Sequence, residues 1–211
     1  MEPAKFAQGK TYYEKLHFSQ KKSSRVRIEK STSYLEKPYV AERIKAWFPN
    51  ATIIVLMRNP VERAISNYFF SQASGLETRS IEEAFAHNED ESSTPCLETS
   101  VSPFAYVKRG LYAQSLKEWK KHFTSSQFKI LLFEEVIRSK QPIQRLCSHL
   151  TEQKENQNLC FPEFPVNKRV HNRDQIVPPE ILLRLKEIFY ESVMELDQEW
   201  DLGAAKLWCF S

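Results

Sequence analysis

Glycine is scarce in this chain. Four glycines in 211 residues leave no room for the glycine-rich loops that wrap nucleotide phosphates with bare backbone. No stretch approaches the ~18 consecutive apolar residues of a membrane-spanning helix, so no membrane span is expected. The opening MEPAKFAQGK has no apolar core of the kind a secretory signal needs. The four cysteines, Cys96, Cys147, Cys160 and Cys209, lack metal-ligand spacing and are read as reduced thiols, with Cys147 in an apolar helical pattern that suits a core. No metal is expected. Charge of one sign is lacking too: 30 Lys and Arg stand against 27 Asp and Glu, a net charge of +3. That balance permits an anionic ligand but argues against nucleic acid. The default location is the cytoplasm, with the Golgi lumen the alternative if an N-terminal anchor is missing.

What is present suits one globular domain, residues 1–211, with a substantial core. A polar stretch over 75–102 is the expected mobile insertion, with a short helix at 81–86. Prolines 162, 165, 178 and 179 mark a second irregular region. Elsewhere strands and helices alternate. Helices are predicted over 11–18, 38–48, 59–71, 111–123, 141–149 and 180–196, the last with Leu182, Leu185, Phe189, Val193 and Leu196 on one stripe. Strands are predicted at 25–28, 52–57 and 128–133. The apolar run 52–57 shows no alternation, as in a parallel strand buried on both faces. This order predicts an α/β fold with helices on both faces of a sheet.

The segment ATIIVLMRNPVERAISNY, residues 51–68, carries the sharpest chemistry. Ligands in open α/β sheets bind beyond the carboxyl ends of strands, and Arg58 stands at such an end. Asn59 suits a helix N-cap, Pro60 the first helical position, and Glu62 falls where a capping box needs it. Free N–H groups and the helix dipole would favour an anion beside Arg58. Asn59, Arg63 and Ser66 share roughly one face, so Ser66 could donate to an anion that Arg58 grips. The same spacing also fits a plain helix cap with a surface arginine, and spacing alone leaves both readings open.

Neighbouring segments read together bring in a family. Glu29-Lys30-Ser31-Thr32-Ser33-Tyr34 resembles the EKSPSY or EKTPSY segment of sulfotransferases that use 3′-phosphoadenosine 5′-phosphosulfate (PAPS), in the branch of heparan sulfate sulfotransferases and their bacterial relatives. Arg58 to Tyr68 resembles that family's RNPVERAxSxY segment. Arg109-Gly110-Leu111-Tyr112 with Trp119 and Phe123 is similar to its RGxYxxxLxxWxxxF helix. Residues 128–135 are similar to its following strand and acidic turn, and Asp201, Leu202 and Trp208 to its closing segment. The blocks keep order and spacing across roughly 9–208. Thr32 departs from the usual proline.

The resemblance implies a three-layer fold related to P-loop NTPases, with a parallel central sheet flanked by helices. It implies sulfuryl transfer from PAPS to a hydroxyl or amine acceptor, possibly a carbohydrate, without a metal. Arg58 and Ser66 would hold the 3′-phosphate. Lys30 would lie near the acceptor and offset charge on the transferred group. The basic loop 167–173, with Lys168, Arg169 and Arg173, would close over the nucleotide. Arg109 would touch nucleotide or acceptor, or simply open its helix. Tyr112 and Trp119 fit core better than ligand platforms, and Glu134 and Glu135 fit a strand-end cap better than an acid–base pair. The family's PKSGTT-type loop and KExHFF-like base segment do not occur here. Spacing places the base segment just before Met1, so the expectation is a fold missing its first strand, with catalysis impaired if the chain is complete as given. His17 is a weak substitute base. The alternative function is a non-catalytic binder of 3′,5′-phosphoadenosine or a sulfated glycan.

Overall fold

A computed structural model of the chain describes residues 6–18, 26–86, 103–151 and 177–210. They fall into two compact units woven from alternating stretches of sequence.

The first unit holds α1 (Lys10–Phe18), α2 (Pro38–Trp47), most of β1 (Ile53–Met57) and β2 (Phe128–Leu132), and α7 (Gln141–Thr151). Pro38 opens α2, where its missing N–H costs nothing. β1 and β2 are hydrogen-bonded neighbours, and helical sequence separates them, the crossover that parallel pairing needs. Val55 and Met57 are buried, while Ile54 and Leu56 are exposed by 37% and 55%. The strand therefore alternates among the described residues, where its apolar run predicts burial on both faces. Trp119 and Phe123 stack with ring centroids 6.1 Å apart, and the Trp119 indole N–H donates to the Leu35 carbonyl at 3.1 Å. Trp119 is core, as expected.

The second unit holds α3 (Pro60–Ala73), α4 (Ile81–Ala86), a 3₁₀ turn (Lys108–Gly110), α8 (Pro179–Trp200) and α9 (Ala204–Leu207). The helix α5 (Tyr112–Lys120) begins here, as does α6 (Phe133–Arg138). α8 buries Ile181, Leu185, Phe189, Val193 and Leu196. Ile181, not the expected Leu182, joins the stripe, because the i, i+4 row is set by Leu185 and Phe189. Asp201 takes a left-handed conformation at φ 50° and stops α8, and the Asp197 carboxylate accepts from the N–H groups of Ala204 and Ala205, both at 2.7 Å, to start α9. Gly110 lies where a Cβ would come within 2.7 Å of the Phe189 ring and 3.2 Å of Pro60 Cβ. That close approach is what the glycine provides.

Two further sequence expectations need correction. Residues 26–30 form no strand; the stretch is short, flanked by charge, and pairs with no neighbour among the described residues. Helix 111–123 ends at Lys120, so Phe123 packs from the turn that follows it.

Candidate anion-binding site

Side chains hold the junction between β1 and α3 at several points. The Asn59 side chain accepts from the N–H groups of Val61 at 3.0 Å and Glu62 at 3.4 Å, the expected N-cap. Pro60 has no N–H to satisfy. The Asn59 backbone N–H donates to Glu134 Oε1 at 2.9 Å. Thus the capping box is only half formed: Glu62 does not reach back to Asn59, because a carboxylate 75 residues later already holds that N–H.

This changes how an anion could be held. The expected free N–H groups at the start of α3 are all taken by the protein itself. Side chains and the helix dipole must do the gripping. Arg58 is placed for it. Its Nη2 and Nε donate to Glu62 Oε2 at 2.8 and 3.3 Å, and its guanidinium lies 5.6 Å from the Phe133 ring centroid. The Glu62 side chain is 58% exposed, so this ion pair contributes little to stability and is easily exchanged for another anion. Ser66 is half-buried one turn beyond Glu62, and its hydroxyl makes no hydrogen bond among the described residues. Glu62 and Ser66 are i, i+4 neighbours on α3, and Arg58 immediately precedes its N-cap.

Arg63 and Arg109 hold structure together. Arg63 Nη2 donates to the Tyr106 carbonyl. Arg109 Nη1 donates to Asn67 Oδ1 at 2.9 Å, while Asn67 Nδ2 donates to the Pro103 carbonyl at 2.9 Å. Ser71 Oγ donates to the same Pro103 carbonyl at 2.7 Å. The segment 103–110 is thereby sewn along α3. Within it the Tyr106 hydroxyl donates to Glu77 Oε2 at 2.8 Å. Burial raises the Glu77 carboxyl, but the Arg79 guanidinium and backbone N–H and the Tyr106 hydroxyl outweigh it and bring it down to about 2. Local spacing gives no signal for this cluster, since Glu77 and Tyr106 lie 29 residues apart.

Tyr112 is buried core, as expected, yet its hydroxyl donates to the Arg58 carbonyl at 2.9 Å. Burial raises its pKa. Glu134 plays the expected cap role at the end of β2: besides the Asn59 N–H it accepts the Trp208 indole N–H at 2.9 Å. Glu135 is exposed.

Lys30 and His17 belong to the first unit. Lys30 is exposed in the irregular segment after Val26, next to Glu29, whose carboxylate accepts from the Tyr34 hydroxyl at 3.1 Å. His17 is exposed on α1 with its ring 4.5 Å from that of Tyr13. Lys168, Arg169 and Arg173 lie outside the described residues, as does most of the insertion expected at 75–102. The helix expected inside that insertion is present at Ile81–Ala86. Cys147 is half-buried and Cys209 exposed, both free.

Comparison with known proteins accords with this architecture. The chain is 34% identical over 115 residues to human heparan sulfate glucosamine 3-O-sulfotransferase 6, an alignment covering 53% of this chain and 31% of that protein. It is 26% identical over 184 residues to the bifunctional heparan sulfate N-deacetylase/N-sulfotransferase 1 of Caenorhabditis briggsae, covering 80% of this chain and 19% of that one. The match thus spans less than a third of these relatives' own length. Among solved structures, a sulfotransferase from Alicyclobacillus acidocaldarius superposes with a TM-score of 0.72 at 26% identity, over 90% of this chain and 70% of that one. This likeness carries the expected α/β fold with helices flanking a parallel sheet. Residues 4–161 match the model of the sulfotransferase domain. That range takes in the Glu29–Tyr34, Arg58–Tyr68 and Arg109–Glu135 segments, and the chain therefore belongs to the sulfotransferase domain family.

Proposed function

We propose that this chain serves sulfuryl transfer from PAPS to a hydroxyl or amine on a carbohydrate acceptor, with Arg58 and Ser66 holding the 3′-phosphate of the nucleotide. The observation that carries the reading is a strand-end guanidinium at Arg58, held by the exchangeable Glu62 carboxylate, with the Ser66 hydroxyl, unengaged among the described residues, one turn further along α3. The heparan sulfate sulfotransferases among its relatives support a glycan as acceptor.

In this reading the bound phosphate takes the place of the Glu62 carboxylate. Arg58 donates two N–H groups to it, the strong planar geometry guanidinium offers an oxyanion, and Ser66 donates its O–H. The α3 dipole adds a favourable potential at its N-terminal end. PAPS supplies the activated sulfuryl group. Lys168, Arg169 and Arg173 would add positive charge over the nucleotide.

Calorimetry with adenosine 3′,5′-bisphosphate tests this. The expected result is binding that Arg58→Ala weakens by about 1.5–3 kcal/mol, the scale of a charged hydrogen bond, and that Ser66→Ala weakens less. Unchanged affinity in folded Arg58→Ala would remove Arg58 from the site. Label from PAPS appearing on a desulfated heparan acceptor would establish the transfer itself.

A further inference from the structure

We infer that Glu134 is a positioning residue for the Arg58 anion grip: it locks the β1–α3 junction from across the second unit, and it acts through Arg58 without touching the ligand. The inference rests on the Arg58 and Ser66 reading given above and adds a residue to it.

Three polar contacts converge on two consecutive residues. The Arg58 carbonyl accepts the Tyr112 hydroxyl at 2.9 Å. The Asn59 N–H donates to Glu134 Oε1 at 2.9 Å. Asn59 Nδ2 donates to the Trp208 carbonyl at 3.4 Å, and the Trp208 indole donates to Glu134 Oε2 at 2.9 Å. The peptide plane that joins Arg58 to Asn59 is therefore held at both ends, its oxygen by Tyr112 and its N–H by Glu134. Tyr112 and Trp208 are buried, with rings 6.3 Å apart. Orientation of that plane sets the direction in which the Arg58 side chain leaves the backbone.

The chemistry requires a carboxylate here. Two donors, one backbone and one indole, arrive on separate oxygens, and an ionised carboxylate offers acceptors on both sides. Glutamine has the same shape but one side is an NH₂ group, which would meet a donor head-on. An unpaired N–H at this junction would be relieved by rotation of the Arg58–Asn59 peptide, and the Arg58 side chain would lose its fixed direction. Glu134 is the second residue of α6, which follows β2 without a break, so its own backbone is anchored by the strand.

The test is a double-mutant cycle on nucleotide affinity. Adenosine 3′,5′-bisphosphate is titrated into the wild-type chain, Glu134→Gln, Arg58→Ala and the double variant, with the melting temperature of each recorded. Glu134→Gln is expected to weaken binding by about tenfold and to add nothing in the Arg58→Ala background, because coupled residues are non-additive. The Asn59 amide proton should also shift in the nuclear magnetic resonance spectrum of Glu134→Gln. A purely structural role would lower the melting temperature and leave the affinity of the folded protein unchanged; that result overturns the inference, as does an equal loss in both backgrounds. Arg58→Ala with wild-type affinity would instead overturn the underlying anion reading. If Glu134→Gln does not fold, Tyr112→Phe carries the same test from the carbonyl side: a severalfold loss confined to the Arg58 background supports the inference, and no loss refutes it.

Discussion

Acid should loosen the second unit through one carboxylate, Glu77. It is only 4% exposed. Its Oε1 accepts from the N–H groups of Thr78 and Arg79, both at 3.0 Å, and from Arg79 Nε at 2.9 Å, while Oε2 accepts from Arg79 Nη2 at 2.6 Å and the Tyr106 hydroxyl at 2.8 Å. Burial alone would raise its pKa, but these donors bring it from an ordinary 4.5 to about 2. A group with a depressed folded pKa stabilises the fold above its unfolded pKa and loses that contribution as pH falls through the folded one. The difference of about 2.5 units corresponds to on the order of 3 kcal/mol at neutral pH, of which about 2 kcal/mol is gone by pH 3. Glu77→Gln removes the charge and with it the pH dependence. Urea unfolding of both proteins between pH 7 and pH 3 reads the difference directly, and subtraction cancels the other carboxylates. The expected gap is on the order of 3 kcal/mol at pH 7, shrinking steadily below about pH 4.5. A gap that stays constant down to pH 3 would show that the Glu77 cluster contributes shape and not charge, and the argument would fail.

Two further outcomes follow from the same unit. Gly110→Ala drives a Cβ to 2.7 Å from the fully buried Phe189 ring and 3.2 Å from Pro60, so urea unfolding should show a loss of about 1–3 kcal/mol. An unchanged midpoint would mean that α8 shifts freely against the 3₁₀ turn. Glu62→Gln removes the carboxylate that competes for Arg58, so calorimetry should show adenosine 3′,5′-bisphosphate binding severalfold tighter, with stability altered by less than about 1 kcal/mol; weaker binding would mean that Glu62 orients Arg58 instead of competing with the ligand.

Local rules read much of this fold directly. The apolar run before Arg58 became β1, and Asn59-Pro60 opened α3 because a cap and a first-turn proline need only their immediate neighbours. The errors share a physical cause. Glu62 has the spacing of a capping box, yet the N–H it would take is held by Glu134, a partner set by packing and not by period. Ile181, Leu182 and Leu183 are three apolar residues in a row, so the phase of the stripe was ambiguous until Leu185 and Phe189 fixed it in the packed helix. Residues 26–28 alternate like a strand, but a strand needs a ladder partner, and none stands beside them among the described residues. Tyr112 was legible as core by its spacing, while its hydroxyl bond to the Arg58 carbonyl was not, because a buried phenol's partner depends on what lies opposite.

The occupied N-terminus of α3 has a consequence for recognition. Phosphate sites at helix starts commonly use backbone N–H groups, whose positions are fixed by the helix itself. Here Asn59 and Glu134 consume those donors, so an anion beside Arg58 would depend on charged side chains. Such a grip would be sensitive to ionic strength, since a half-buried guanidinium at the surface is still screened within about 8 Å at physiological salt. It also gains most from anything that limits the wandering of Arg58. Phe133 beneath the guanidinium and the fixed peptide behind it supply that restraint from two sides. In the proposed site, then, the backbone would set direction and the side chains supply the charge.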